Sequence, residues 1–193
     1  MADTKISAMS AASALTGAEL VPLVQGGVNV RSTVANVNAF TNNRASLLST
    51  STQTATANTA TVVTFDNISM NQNITLADTS KITFAKAGDY VLNFSFQMAN
   101  SDTQIHTVDV WVRLNGANYP TSNTKIDIPA SHGGNDGHTV ASWSIPGTAA
   151  AGDYVELVWS TTNANAYIEY IGTQTTPTRP ATPSVIAAVW QVG

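Results

Sequence analysis

The segment Ser131-His132-Gly133-Gly134-Asn135-Asp136-Gly137-His138 concentrates side chains that could do chemistry. Two imidazoles, His132 and His138, and the carboxylate of Asp136 are metal-ligand types, and a loop this short could wrap a divalent cation. A structural site needs a fourth ligand and neighbours that orient the imidazoles, and the segment supplies neither. Its glycines favour a surface loop, so no metal and no cofactor is expected. Only convergence of three such loops on a symmetry axis would give these residues a metal role.

Other chemistry is equally thin. Asp153 with Glu156, or Asp109 across a sheet, could be paired as glycosidase acids, which must stand roughly 5 to 9.5 Å apart across a cleft. The chain has 12 acidic residues in 193, so chance alone offers such pairs. It contains no Gly-x-Ser-x-Gly elbow, phosphate-binding Gly-rich loop, dinucleotide turn or zinc-protease helix. An enzyme is not expected. His106 alternates in register with apolar residues, which suits a hydrogen-bonded core histidine.

Aromatic residues in strand-like segments are better interaction candidates. Trp111 alternates out of phase with Val108, Val110 and Val112, so it faces away from their core and either covers the sheet or anchors an interface. Tyr167 and Tyr170 must point to opposite faces of one strand, so only one of them can be core. Trp190, near the C-terminus, faces either the core or a symmetry axis.

Composition narrows the function classes. Only 10% of residues are charged while 43% are hydrophobic, and Ala, Ser, Thr and Asn supply nearly half the chain. That is enough apolar material for a core and too little charge for disorder. The net charge is −4, and the eight cations, Lys5, Arg31, Arg44, Lys81, Lys86, Arg113, Lys125 and Arg179, are scattered, so no nucleic-acid footprint is visible. With no cysteine there is no disulfide or thiolate site. No run approaches the ~20 apolar residues of a membrane span, and the start lacks a signal-peptide pattern.

The elements that must position these residues are mostly strands. Tyr90, Leu92, Phe94, Phe96 and Met98 alternate with polar residues, and His106, Val108, Val110, Val112 and Leu114 do the same before an Asn115-Gly116 turn. Further strands are expected at Val62 to Phe65, Ile74 to Leu76, Ile82 to Phe84, Ile126 to Ile128, Thr139 to Trp143, Val155 to Trp159, Tyr167 to Ile171 and Val185 to Val192. About ten short strands over residues 61–193 predict an all-β sandwich or jelly roll. Residues 45–60, rich in Ser, Thr and Ala, read as a linker. Residues 1–44 read as a small arm: a hairpin of Glu19 to Gln25 and Val28 to Val34 around Gly26-Gly27, then a short helix capped by Ser32-Thr33. The arm has too few apolar residues to fold alone, so Leu20, Val21, Leu23, Val24 and Phe40 are expected to contact a partner surface.

The run Ile82-Thr-Phe84-Ala-Lys-Ala-Gly88-Asp-Tyr90-Val-Leu92-Asn-Phe94 resembles the signature of the jelly-roll superfamily of the complement globular heads and tumour necrosis factor. Ile82 and Leu92 stand where that family usually has aromatics. Val110 to Gly116, Ala151-Gly152-Asp153-Tyr154-Val155 and Ile186 to Val192 resemble its later strands in order. The resemblance covers roughly residues 60–193 and implies a homotrimer. Lys5-Ile6-Ser7 and Ala14 to Gly27 resemble the start of many bacteriophage virion proteins.

Together the two resemblances imply a structural protein of a tailed bacteriophage. A trimeric capsid decoration, or cement, protein held by its arm is favoured, because the chain has no room for a shaft of repeats. The alternative is a short tail fibre or spike whose tip binds the host surface, with host glycans as candidate ligands. The expected partners are two further copies of the chain and the major capsid protein or other virion proteins, without nucleic acid or membrane insertion. The expected location is the virion surface, after synthesis in the host cytoplasm.

Overall fold

In the computed structural model, residues 16–193 are described. The chain divides into two compact units between Asn42 and Asn43. The first contains a hairpin of Leu20–Gln25 (β1) and Val28–Thr33 (β2), then a helix, Val34–Thr41 (α1). Gly26 and Gly27 have φ of 58° and 78°, a reversal that side chains resist and that matches the twist of a two-residue hairpin. Thr33 caps the helix, its Oγ1 accepting from the Asn36 N–H at 3.1 Å.

Ahead of the hairpin, Glu19 folds its own approach. Its carboxylate accepts from the Thr16 and Gly17 amides at 2.7 and 2.8 Å and from the Thr16 hydroxyl at 2.8 Å. These bonds, led by the Thr16 amide, lower its pKa from the ordinary 4.5 to about 2. Because the folded value lies below the unfolded one, the turn is fully supported above about pH 4.5 and loses that support as pH falls toward about 2. Amide shifts of Thr16 and Gly17 in an NMR pH titration should therefore move together in that window. A Glu19→Gln chain should lack the transition.

The second unit is an all-β sandwich. In chain order its strands are Arg44–Ser49 (β3), Thr61–Val62 (β4), Asn67–Gln72 (β5), Ile74–Ala77 (β6) and Lys81–Phe84 (β7). Gly88–Asn100 (β8), His106–Leu114 (β9), Ala117–Asn118 (β10), Thr124–Ile128 (β11) and Gly137–Ala149 (β12) follow. Tyr154–Thr161 (β13), Ala166–Ile168 (β14), Gln174–Thr175 (β15), Thr178–Arg179 (β16) and Val185–Gln191 (β17) complete it. One antiparallel sheet runs β12-β8-β17-β3-β5, with β14 also pairing β8. The other runs β10-β9-β13-β7-β6, with β11 on β9 and β4 on β13; β15 and β16 form a separate ribbon.

Period-two alternation builds the core between the sheets. Tyr90, Leu92, Phe94, Phe96 and Met98 of β8 are all buried, as are Val108, Val110 and Val112 of β9 and Leu157 and Trp159 of β13. Phe94 meets Trp143 edge-on at a ring separation of 4.6 Å. Pro146 falls within β12, which its outermost place in the sheet permits.

Residues 45–60 do not behave as the expected linker. Arg44–Ser49 is β3, hydrogen-bonded to β17 on one side and β5 on the other, with Leu47 fully buried. The rest is clipped to the sandwich by Gln53. Its backbone exchanges bonds with Ile168 at 2.8 and 2.9 Å, and its side chain does so with the Thr64 backbone, both at 2.9 Å. A side-chain amide thus replaces a strand neighbour, so a Ser/Thr-rich segment packs with only the small Ala55 in the core. The expected boundary at residue 44 moves to 42, because Asn43 belongs to the sandwich. It is 3% exposed, and its side chain bonds Gln191 and Asn73.

Candidate functional site

The His132, Asp136 and His138 side chains do not gather into a ligand set. Among the described residues no group of three His, Cys, Asp or Glu side chains could hold a metal ion. The His132 backbone instead closes a tight turn with Asn135 at 2.9 and 3.1 Å. Asp136 accepts from the Tyr167 hydroxyl at 2.5 Å, and His138 Nδ1 lies 3.3 Å from Glu169 Oε2. The cause is sheet geometry. β12 and β14 flank β8 in parallel, and His138 and Tyr167 both stand opposite Ala99. The small Ala99 lets side chains from the two flanking strands meet across it, and it is fully buried beneath them. Burial, and then the Asp136 carboxylate, raise the Tyr167 pKa well above its ordinary 10. This ladder ties the 131–136 loop to the sheet.

The same end of the sandwich holds His106, whose Nε2 lies 2.7 Å from Asp102 Oδ2. That contact lowers the pKa of Asp102. Asn100, with no exposed surface, joins three segments: it donates to the carbonyls of Gln104 at 2.7 Å and Pro129 at 3.0 Å and accepts from the Asp102 amide at 2.9 Å.

The acids considered as a glycosidase pair have other partners. Asp153 accepts from the Asn115 side chain and the Ala150 amide, both at 2.8 Å, and these bonds, the first foremost, lower its pKa. Glu156 is buried and accepts from the Ser80 hydroxyl at 2.8 Å.

Of the aromatic candidates, neither tyrosine is core. Tyr167 and Tyr170 are half-buried, and Ile168 between them is fully buried. Trp190 is 41% exposed on the outer face of the β12-β8-β17-β3-β5 sheet. The middle of that face is uncharged: Ser95, Ser142 and Ser144 alternate outward there, with Val140 and Ile186 exposed.

Trp111 lies on the outer face of the opposite sheet. Its indole N–H donates to Asn118 Oδ1 at 2.9 Å, an oxygen that also accepts from Arg113 Nε at 3.2 Å. Trp111, Asp109 and Ser160 line a groove of about 350 Å³ together with residues of the 118–123 segment. Asp109 Oδ1 accepts from the Asn123 amide at 2.8 Å. Ser122 props this segment off the sheet: its hydroxyl accepts from the Val112 N–H at 3.1 Å and donates to the Tyr119 carbonyl at 2.8 Å. The outward phase of Asp109 and Trp111 is legible as period two. The part played by Asn118 and Asn123 is not, because it depends on how the segment leaves the strand.

In the first unit, Leu20, Leu23 and Val24 are exposed and Val21 is half-buried. Strand pairing puts Val21 and Leu23 on one face of the hairpin with Val28 and Val30, and Leu20 and Val24 on the other. The Phe40 side chain, and the motif residues before Thr16, lie outside the described residues. No helix among the described residues is long and apolar enough to cross a membrane. No protein-family model matches the chain, and no curated protein matches it.

Proposed function

We propose that this chain is a structural protein of a tailed-bacteriophage virion: a homotrimeric jelly-roll head that decorates the capsid and is attached through its N-terminal hairpin. The carrying observation is the hairpin's apolar surface, with Leu20 57%, Val24 72% and Val28 63% exposed. A lone two-stranded hairpin is marginal in water and has no reason of its own to display such residues on both faces. Docked on a larger surface, it would bury them.

Strand order supports a jelly roll. Taking β3, β7, β8, β9, β11, β12, β13 and β17 as eight successive strands, one sheet runs sixth-third-eighth-first and the other fifth-fourth-seventh-second. The uncharged middle of the first sheet's outer face suits association of copies, because Ser95, Ser142 and Ser144 can be buried between subunits without stranding a charge. Threefold assembly would then multiply weak hairpin contacts by avidity, and whatever binds only the assembled shell stabilises it by mass action.

A chain lacking residues 1–42 should remain a soluble trimer by light scattering and fail to bind purified particles. Full occupancy of particles by the truncated chain would sink the attachment reading, and a monomer mass for the intact chain would sink the trimer. A second reading, a short tail fibre that binds the host surface, is favoured by the groove at Trp111. Gold labelling of the protein on particles separates the two: label on capsid faces supports decoration, and label at the tail tip supports the fibre.

A further inference from the structure

We propose that the groove beside Trp111 is a saccharide-binding site that takes a pyranose ring. This stands whether the protein sits on a capsid or a tail. Sugars present two chemistries at once, an apolar face of C–H groups and an edge of hydroxyls, and the groove offers a counterpart to each. The Trp111 ring is held by its N–H on Asn118, and the negative face of an aromatic ring attracts the slightly positive C–H face of a pyranose. Beside it on the same face of β9, the Asp109 carboxylate accepts from the Asn123 amide at 2.8 Å, an arrangement of acceptors and donors suited to neighbouring hydroxyls. Thr121 and Ser160 add hydroxyls to the lining.

The wall is built rather than loose. Ser122 is 6% exposed and fixes the segment through the Val112 amide and the Tyr119 carbonyl. Next to it, Thr121 has φ of 60°, a left-handed backbone that a β-branched residue rarely adopts and that persists only where its surroundings impose it. The groove is open and holds about 350 Å³, room for one sugar ring laid along it. Arg113 on the Asn118 oxygen and Lys125 opposite Asp109 balance the Asp109 charge, which suits a neutral ligand, and the polar lining disfavours a purely apolar one. A shallow site of this kind binds one ring weakly, and repetition on an assembly or along a polysaccharide supplies the strength.

The test is an NMR titration of the full-length protein with the methyl glycosides of glucose, galactose, mannose and N-acetylglucosamine, read at the four indole N–H signals. A Trp111→Phe chain assigns the Trp111 signal. At least one glycoside should shift that signal saturably and leave those of Trp143 and Trp159 in place. Asp109→Ala, at a half-buried position of the groove, should weaken that binding by about tenfold, the size of one lost hydrogen bond to a charged acceptor, while the chain still melts cooperatively. Sedimentation with purified lipopolysaccharide or peptidoglycan distinguishes a surface glycan, which would carry the protein down, from a free sugar, which would act only in the titration; either supports the site. No shift with any of the four glycosides, a shift that Asp109→Ala leaves untouched, or an equal shift with adenosine overturns it.

Discussion

Gly137→Ala should destabilise the sandwich by about 3 kcal/mol, the upper end of what overpacking usually costs. A methyl group at Gly137 would sit 2.0 Å from the Pro129 carbonyl oxygen and 2.8 Å from that of Ala130. Both are backbone atoms, so no side-chain rotation relieves the clash. Nor can residues 129 and 130 retreat freely, since the Pro129 carbonyl accepts from Asn100 at 3.0 Å. Asn100 is fully buried, and losing that acceptor would leave part of its amide unsatisfied. Displacement would also reach the Asp102 turn, whose carbonyl accepts from the Ser131 amide at 2.7 Å. Urea unfolding followed by tryptophan fluorescence measures the effect. Gly172→Ala is the control: nothing lies within 4 Å of its added carbon, so a change within about 0.5 kcal/mol is expected. Equal midpoints for the two variants would show that the start of β12 does not press against the 129–130 turn.

The second large effect concerns where the folded unit begins. A chain starting at Asn43 should fold, and one starting at Thr50 should not. Removing β3 would take the pairing partner of β17 along Val185 to Trp190 and detach β5, which pairs in this sheet only through β3. It would also uncover the core at Ala45 and Leu47. Leu47→Ala alone should cost about 3 to 5 kcal/mol, since the side chain is wholly buried and the hole it leaves is walled by two sheets. Thermal melts of the three chains test this. A cooperative melt at the parental temperature for the chain starting at Thr50 would refute the placement of the boundary.

That boundary shows how far local pattern reaches. Arg44–Ser49 has no aromatic or β-branched residue, and its Leu48 points outward beside the inward Leu47. Its propensity for extended structure is therefore weak, and a low-complexity flank makes it look like linker. It becomes a central strand because β17 and β5, far away in sequence, offer it hydrogen bonds on both edges. β8 and β9 are the opposite case. Their alternation is long and strict enough to declare element, face and core residues at once. The hairpin at Gly26-Gly27 is equally legible, because two adjacent glycines supply the backbone reversal locally.

The candidate sites divide along the same line. Trp111 is marked as outward by its phase within β9, and the low charge of the chain marks broad uncharged faces. The fates of His132, Asp136 and His138 were invisible. Spacing brings the three close along the chain, but whether they converge depends on what lies across the sheet, and there Ala99 is small enough to let Tyr167 and Glu169 reach Asp136 and His138.

By itself the sequence determined an all-β chain, its inward residues, its two-residue turns and a surface poor in charge, because period two and turn chemistry act over a few residues. Only the tertiary structure decided that the apparent linker is a central strand, that the histidine loop is tied down by Tyr167 and Glu169, and that Trp111 shares a groove with Asp109 and Asn123. The first two rest on pairing between segments distant in sequence, and the third on how the 118–123 segment folds back beside β9, so in each case the partner rather than the residue itself sets the outcome.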